Sequence, residues 1–188
     1  RRASQWRSAD GRTILPLRLD ANGSIFVVLR ESADVTQHDS GPNWVETSVA
    51  RELEGPWQVT FDPNTGGPEA PVSFAQLEDW SRRDEPQVRH YSGTAAYNQT
   101  FDGDSLRAGK RVWLELGKVA DLAEVTLNGK PCGVAWTAPY RVEITGALRT
   151  GANHLEIRVT NTWANRLIGD RSLPEAERIT WTTGADRV

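Results

Sequence analysis

Strict alternation of apolar and polar residues, repeated from one short segment to the next, is the feature that most limits what this chain can fold into. Trp57, Val59 and Phe61 share one side of a segment whose other side carries Gln58 and Thr60. Tyr97, Gln99 and Phe101 share a side in 94–101, and Val112, Leu114 and Leu116 alternate with Arg111, Trp113 and Glu115. Val125 and Leu127 alternate with Glu124 and Thr126, and Val142 and Ile144 with Arg141 and Glu143. Leu155, Ile157 and Val159 do the same against His154, Glu156, Arg158 and Thr160. A period of two places each apolar set on one face of a β-strand. Turn signals such as Asp102-Gly103-Asp104-Ser105 and Asn128-Gly129 recur about every 8–12 residues, the spacing of a sandwich. No long segment of 3.6 period competes and no internal repeat is present. The expected fold is therefore all-β, an antiparallel β-sandwich in which two sheets cover each other's apolar faces.

The organisation follows from where the alternation breaks. Residues 12–19 and 25–30, separated by Asp20-Ala21-Asn22-Gly23-Ser24, read as a β-hairpin, with 25–30 (IFVVLR) apolar on both faces. The polar stretch 31–43, with Gly41-Pro42, reads as a linker, and a second block starts near Trp44. Residues 1–43 are thus expected to be a hairpin tail plus linker and 44–188 the sandwich. A short helical turn is expected around Leu77 and Trp80, and Val134 and Trp136 continue the strand that returns from Asn128-Gly129.

Composition removes several classes of function. The formal net charge is -3, so the overall attraction that phosphate-backbone binding relies on is missing, and no nucleic-acid partner is expected. No apolar run approaches the ~20 residues of a membrane helix, and no membrane partner is expected. The single cysteine, Cys132, forms no internal disulfide and reads as a small packed residue. The chain contains no methionine and opens Arg1-Arg2-Ala3-Ser4, which reads as a slice of a longer product. Tryptophan is over-used, with 8 copies against 3 Tyr and 4 Phe. Its ring fills sandwich cores and also stacks on sugars.

A chain of motifs runs from Leu53 to Leu173: Gly55-Pro56-Trp57-Gln58-Val59-Thr60-Phe61, Tyr91-Ser92-Gly93-Thr94-Ala95-Ala96-Tyr97, and Leu114-Glu115-Leu116-Gly117-Lys118-Val119. Then come Ala123-Glu124-Val125-Thr126-Leu127-Asn128-Gly129-Lys130, Trp136-Thr137-Ala138-Pro139-Tyr140-Arg141, Gly151 to Asn161, and Trp163 to Asp170. In order and spacing this set resembles the galactose-binding-like jelly-roll domain of family 2-type glycoside hydrolases. It is most similar to the C-terminal region of family 106 α-L-rhamnosidase-like enzymes. The resemblance implies a jelly-roll sandwich that lacks the catalytic carboxylates, which such enzymes carry on a barrel domain elsewhere in the parent chain. It implies that residues 1–43 close a preceding β-domain, and that the parent hydrolyses O-glycosidic bonds, with rhamnose-containing glycans as candidate substrates. It also implies a bacterial parent, secreted or periplasmic. Carbohydrate and the catalytic barrel are the implied partners.

Hydrolysis of a glycoside usually needs two carboxyl groups, about 5–5.5 Å apart for retention and wider for inversion. None of the chain's acids sits in a motif that marks it for that work, so no catalytic residue is assigned. There is no Gly-rich phosphate loop, no G-x-S-x-G elbow and no H-E-x-x-H. His154 falls on the polar side of its strand. The best candidates for binding lie in the loop after the last strong strand: Asn161, Trp163, Asn165, Arg166 and Asp170, with Trp136 in the loop before Pro139. An aromatic plate with amide, guanidinium and carboxylate groups is the mix that holds sugars. The same residues equally suit a structural corner in which Arg166 pairs with Asp170 and Trp163 caps the sandwich. Trp113 points away from its core-facing neighbours and marks an interdomain face or an edge covered by a loop. Asp102-Gly103-Asp104 suggests at most a structural calcium, and two carboxylates fall short of the 6–8 oxygens required, so no cofactor is assigned. Asn22-Gly23-Ser24 and Asn98-Gln99-Thr100 match the glycosylation sequon. Three roles stay open at this point: an accessory domain of a glycosidase, a free-standing carbohydrate-binding module and a structural docking domain.

Overall fold

A computed structural model describes residues 2–20, 23–30, 32, 35–106 and 109–181. The chain divides into two compact units, Arg1–Arg51 and Glu52–Val188.

In the first unit, β1 (Gln5–Ala9), β2 (Arg12–Ile14) and β3 (Gln37–Asp39) form a sheet in the order β2-β1-β3. The hairpin expected between 12–19 and 25–30 is not formed. The chain reverses instead at Asp10-Gly11, where φ is 53° and 71°, and Ala9 pairs with Arg12. Two consecutive positive φ values give the two-residue turn that matches strand twist. Of 12–19 only the first three residues are strand, and none of 25–30 is. Ala21 and Asn22, in the turn expected between them, lie outside the described residues. The stretch read as a linker contributes β3 and an anchor: Asn43 Oδ1 accepts the N–H groups of Ser4 and Gln5, while its Nδ2 donates to the carbonyls of Gln5 and Pro16.

The second unit is the sandwich. Its strands are β4 (Trp57–Thr60), β5 (Val72–Phe74), β6 (Thr94–Asp102), β7 (Trp113–Glu115), β8 (Leu122–Leu127), β9 (Lys130–Ala135), β10 (Arg141–Glu143) and β11 (Ala152–Thr160). Six of them make one antiparallel sheet in the order β5-β4-β6-β11-β8-β9, and β10-β7 make the second. The long central pair runs from Ala152 opposite Asp102 to Thr160 opposite Thr94. The inward residues are those that the alternation selects: Trp57, Val59, Phe61, Tyr97, Phe101, Val125, Leu127, Leu155 and Ile157 are buried, and Val142 and Ile144 meet them from the small sheet. Each such side chain stabilises by about 1.5–3 kcal/mol on burial. The helical turn expected near Leu77 is a 3₁₀ turn at Trp80–Arg82, followed by a one-turn helix α1 (Pro86–Arg89). Trp80 is buried there, edge-on to Phe61 and Tyr91 at 5.4 and 5.6 Å between ring centres, while Leu77 is exposed.

Asn128-Gly129 makes the expected tight turn, with φ of 54° and 75°. Past it, Val125 faces Gly133 but Thr126 faces Pro131, so Cys132 is the extra residue of a β-bulge. The bulge and Pro131 fall on β9, an edge strand, where a missing N–H costs no ladder bond and discourages pairing with other chains.

Candidate functional site

The segment that follows β11 is a helix and not the loop expected from sequence: α2 spans Ala164–Arg171. Nothing local favours it strongly. Trp163 at its N-cap makes no side-chain capping bond, and Gly169 lies inside it. Distant groups hold it. The Arg166 backbone N–H donates to Ser92 Oγ at 3.0 Å, and Arg166 Nη2 donates to the carbonyls of Thr65 and Gly66 at 3.3 and 3.1 Å. Arg166 Nη1 lies 3.6 Å from Asp170 Oδ1, one turn along. Gly169 lets the helix come close: a Cβ there would sit 2.6 Å from His90 Cβ.

Of the five candidates in this segment, three face inward. Asn161 brackets a neighbouring turn, its Oδ1 accepting from Gly93 N–H at 2.9 Å and its Nδ2 donating to Tyr91 O at 3.0 Å. Arg166 and Asp170 are 6% and 2% exposed. Asp170 Oδ2 accepts from the N–H groups of Ile179 and Thr180 and from Thr180 Oγ1, at 3.0, 2.6 and 2.7 Å. Burial alone would raise its pKa. The Thr180 side-chain and backbone donors, the Arg166 charge and the Ile179 N–H outweigh that and hold it below the usual carboxylate value. Asn165 is half-buried. Only the indole faces outward: Trp163 is 51% exposed.

Trp136 is 71% exposed. Ala135 pairs with Ala123, Ala123 with Val159, and Leu122 with Thr160. Trp136 follows Ala135 directly and Trp163 comes three residues after Thr160, so both indoles leave the six-stranded sheet at the same end. Trp113 lies outside the core as expected, and side chains cover it. The guanidinium carbons of Arg111 and Arg141 stand 5.1 and 5.5 Å from its ring centre, and Arg111 also pairs with Glu143. His154 is exposed.

The calcium candidates have other work. Asp102 Oδ1 accepts from Asp104 N–H and Asp104 Oδ1 from Gly151 N–H, at 2.8 and 2.6 Å. Among the described residues, no three His, Cys, Asp or Glu side chains gather around a point. The sequon residue Asn98 lies within β6, paired with Gln58 on one side and Glu156 on the other; Asn22 lies outside the described residues.

Sequence reasoning missed a fully buried polar hub. Asn153 is 0% exposed. Its Oδ1 accepts from Arg149 N–H and Asn128 Nδ2, and its Nδ2 donates to the carbonyls of Arg149 and Gly151. The signal was available, since Asn153 has the parity of Leu155 and Ile157 and so must point into the core. Tyr91, also 0% exposed, is a second hub. Its hydroxyl receives Asp62 N–H and Thr65 Oγ1 and donates to Thr94 O.

Comparison with known proteins places this architecture. The chain is 44% identical over 124 residues to a Formosa agariphila protein named "Putative beta-glucuronidase", a match that covers 65% of this chain and 11% of that one. The structure of a rhamnosidase from Novosphingobium sp. PP1Y superposes over 95% of this chain and 17% of its own, with TM-score 0.75 and 41% identity. A Ruminococcus gnavus β-glucuronidase shares the fold over 59% of this chain and 21% of its own, with TM-score 0.50 and 22% identity. This chain therefore spans only a small fraction of the length of these relatives. The model of the glycosyl hydrolase 2 galactose-binding domain-like family matches residues 36–184, so the chain belongs to that family.

Proposed function

We propose that this chain acts as a non-catalytic accessory domain of a larger glycoside hydrolase. In this reading the parent cleaves O-glycosidic bonds, with rhamnose-containing glycans as the substrate class. The sandwich supports and shapes the rim of an active site carried by the parent's catalytic barrel. The observation that carries the reading is the 41% identity over 95% of this chain to a solved rhamnosidase of which it accounts for 17%.

The side chains support it. Arg166 and Asp170 are spent on holding α2 and the segment at 179–180 in place, and Asn161 on the turn at Tyr91–Gly93, so three of the four polar members of the candidate constellation serve the fold. A sugar is held by stacking plus directed hydrogen bonds, so such a surface suits a site completed by another domain. Among the described residues, the carboxylates whose titration is displaced, Asp79, Glu85, Glu143 and Asp170, all move downward. A glycosidase general acid needs the opposite.

A second reading, a carbohydrate-binding module that works alone, is favoured by the exposure of Trp163 and Trp136 at one end of the sheet. Calorimetric titration of the isolated chain with L-rhamnose, D-galactose and D-glucuronic acid separates the two. The accessory reading expects no saturable heat. Saturable binding that disappears in Trp163→Ala would establish the module and refute it.

A further inference from the structure

We infer that one internal water molecule is part of the corner after β11, held between the Arg166 guanidinium and the Asp170 carboxylate. Both side chains are buried, at 6% and 2% exposure. A guanidinium has five N–H donors, and an ionised carboxylate has about four acceptor positions. The protein occupies one end of each group. Nη2 of Arg166 donates to the carbonyls of Thr65 and Gly66, and Oδ2 of Asp170 accepts from Ile179 and Thr180. At the other end, Arg166 Nε and Asp170 Oδ1 are both buried, and among the described residues neither has a hydrogen-bond partner. Arg166 Nη1 stands 3.6 Å from Oδ1, too far for a hydrogen bond. Buried polar groups are seldom left so, and a donor and an acceptor orphaned beside each other call for a shared partner.

Chemistry selects that partner. It must accept from Nε–H and donate to Oδ1. A cation would be repelled by the guanidinium and an anion by the carboxylate, so the occupant is neutral. Size limits it further. On the Nη2 side the fork is packed tight: a Cβ at Gly66 would fall 2.5 Å from both Nη2 and Ile179 Cδ1. Two C–N bonds of about 1.33 Å put adjacent guanidinium nitrogens about 2.3 Å apart, so Nε lies within about 6 Å of Oδ1. Two hydrogen bonds of about 2.9 Å span that distance. A single water accepts from Nε–H, donates to Oδ1 and has Nη1 as a third neighbour, which is the polar setting internal waters occupy. With it in place the pair is water-bridged, and Nε and Oδ1 are spent inside the fold and not offered to a sugar. The inference is independent of the accessory-domain reading.

A crystal structure of the 188-residue chain that defines ordered water tests this. One water is expected within about 3.2 Å of both Arg166 Nε and Asp170 Oδ1. Direct contact of Oδ1 with Nε or Nη1 at hydrogen-bond distance, with no water between, would overturn the inference. A protein carbonyl on Nε would overturn it as well. Nuclear magnetic resonance supplies a second readout in solution, a cross-relaxation peak between Arg166 Hε and water. The Thr180 hydroxyl, bonded to Asp170 Oδ2, is a proton relay that would mimic this peak. Thr180→Val removes the hydroxyl and keeps the side chain's shape. The peak should survive in that variant, and its disappearance there would count against a resident water.

Discussion

Asp170 tests most directly whether the segment after β11 is a structural corner. Its carboxylate faces Arg166 at 3.6 Å and receives three hydrogen bonds from Ile179 and Thr180 on one oxygen. At 3.6 Å the Arg166 contact is Coulombic and not a hydrogen bond. Asp170→Ala leaves a guanidinium only 6% exposed without its counter-charge. Removing one partner of a buried ion pair costs about 3–5 kcal/mol. The carbonyls of Thr65 and Gly66 still accept from Arg166 and soften the loss, so about 3 kcal/mol is expected. Asp170→Asn keeps an acceptor for the two N–H groups and should cost roughly 1.5–3 kcal/mol, the worth of hydrogen bonds to a charged group. Urea unfolding at constant slope measures both. The folded-state pKa of Asp170 is lowered, so the unfolded chain binds more protons as the carboxyl titrates. The stabilisation is complete above the unfolded value, about 3.9, and is lost as pH falls through the lower folded value. The deficit of Asp170→Asn relative to the parent sequence should therefore be full at pH 6 and shrink below pH 4. A cost under about 1 kcal/mol for Asp170→Ala, or a deficit that does not change with acid, would refute a structural role for the pair.

Asn153→Ala should destabilise the sandwich by about 2–4 kcal/mol, because Arg149 N–H and the carbonyls of Arg149 and Gly151 lose their partner in a dry site; denaturant unfolding reads it. Gly169→Ala should cost about 1–3 kcal/mol through the 2.6 Å approach of the new Cβ to His90, although alanine is the better helix former. A rise in melting temperature for that variant would show that α2 is not packed where it is described. Leu155→Ala, at 0% exposure in the central strand, should lose about 2–5 kcal/mol.

The sheets of the sandwich were legible because a half-buried strand has one solution per register. Leu155 and Ile157 fix which side of β11 is inside, and every neighbour paired with them follows. The rule of parity even locates Asn153, provided a polar residue at an inward position is read as a fully bonded core group. Helix α2 was not legible. Its eight residues carry no cap and a glycine, and what holds it comes from Ser92 and Thr65, 74 and 101 residues away in sequence. No local window contains those partners.

The first unit failed for a different reason. Of the alternation in 12–19 only Arg12–Ile14 became strand, and the apolar run at 25–30 did not, because a pattern of side chains does not say which neighbour a strand will pair with. Asp10-Gly11 is the stronger turn signal, and it captured Arg12–Ile14 for β1. The chemistry of the candidate site was ambiguous in a similar way. Asn, Arg, Asp and Trp serve a sugar and a sandwich corner equally well, and composition does not separate them. Direction does: Arg166 and Asp170 turn inward to their own chain, whereas Trp163 and Trp136 turn outward. An indole stacks on a sugar ring but supplies it few directed hydrogen bonds, so under the proposed accessory role Trp163 and Trp136 would need donors and acceptors brought to them by a second surface.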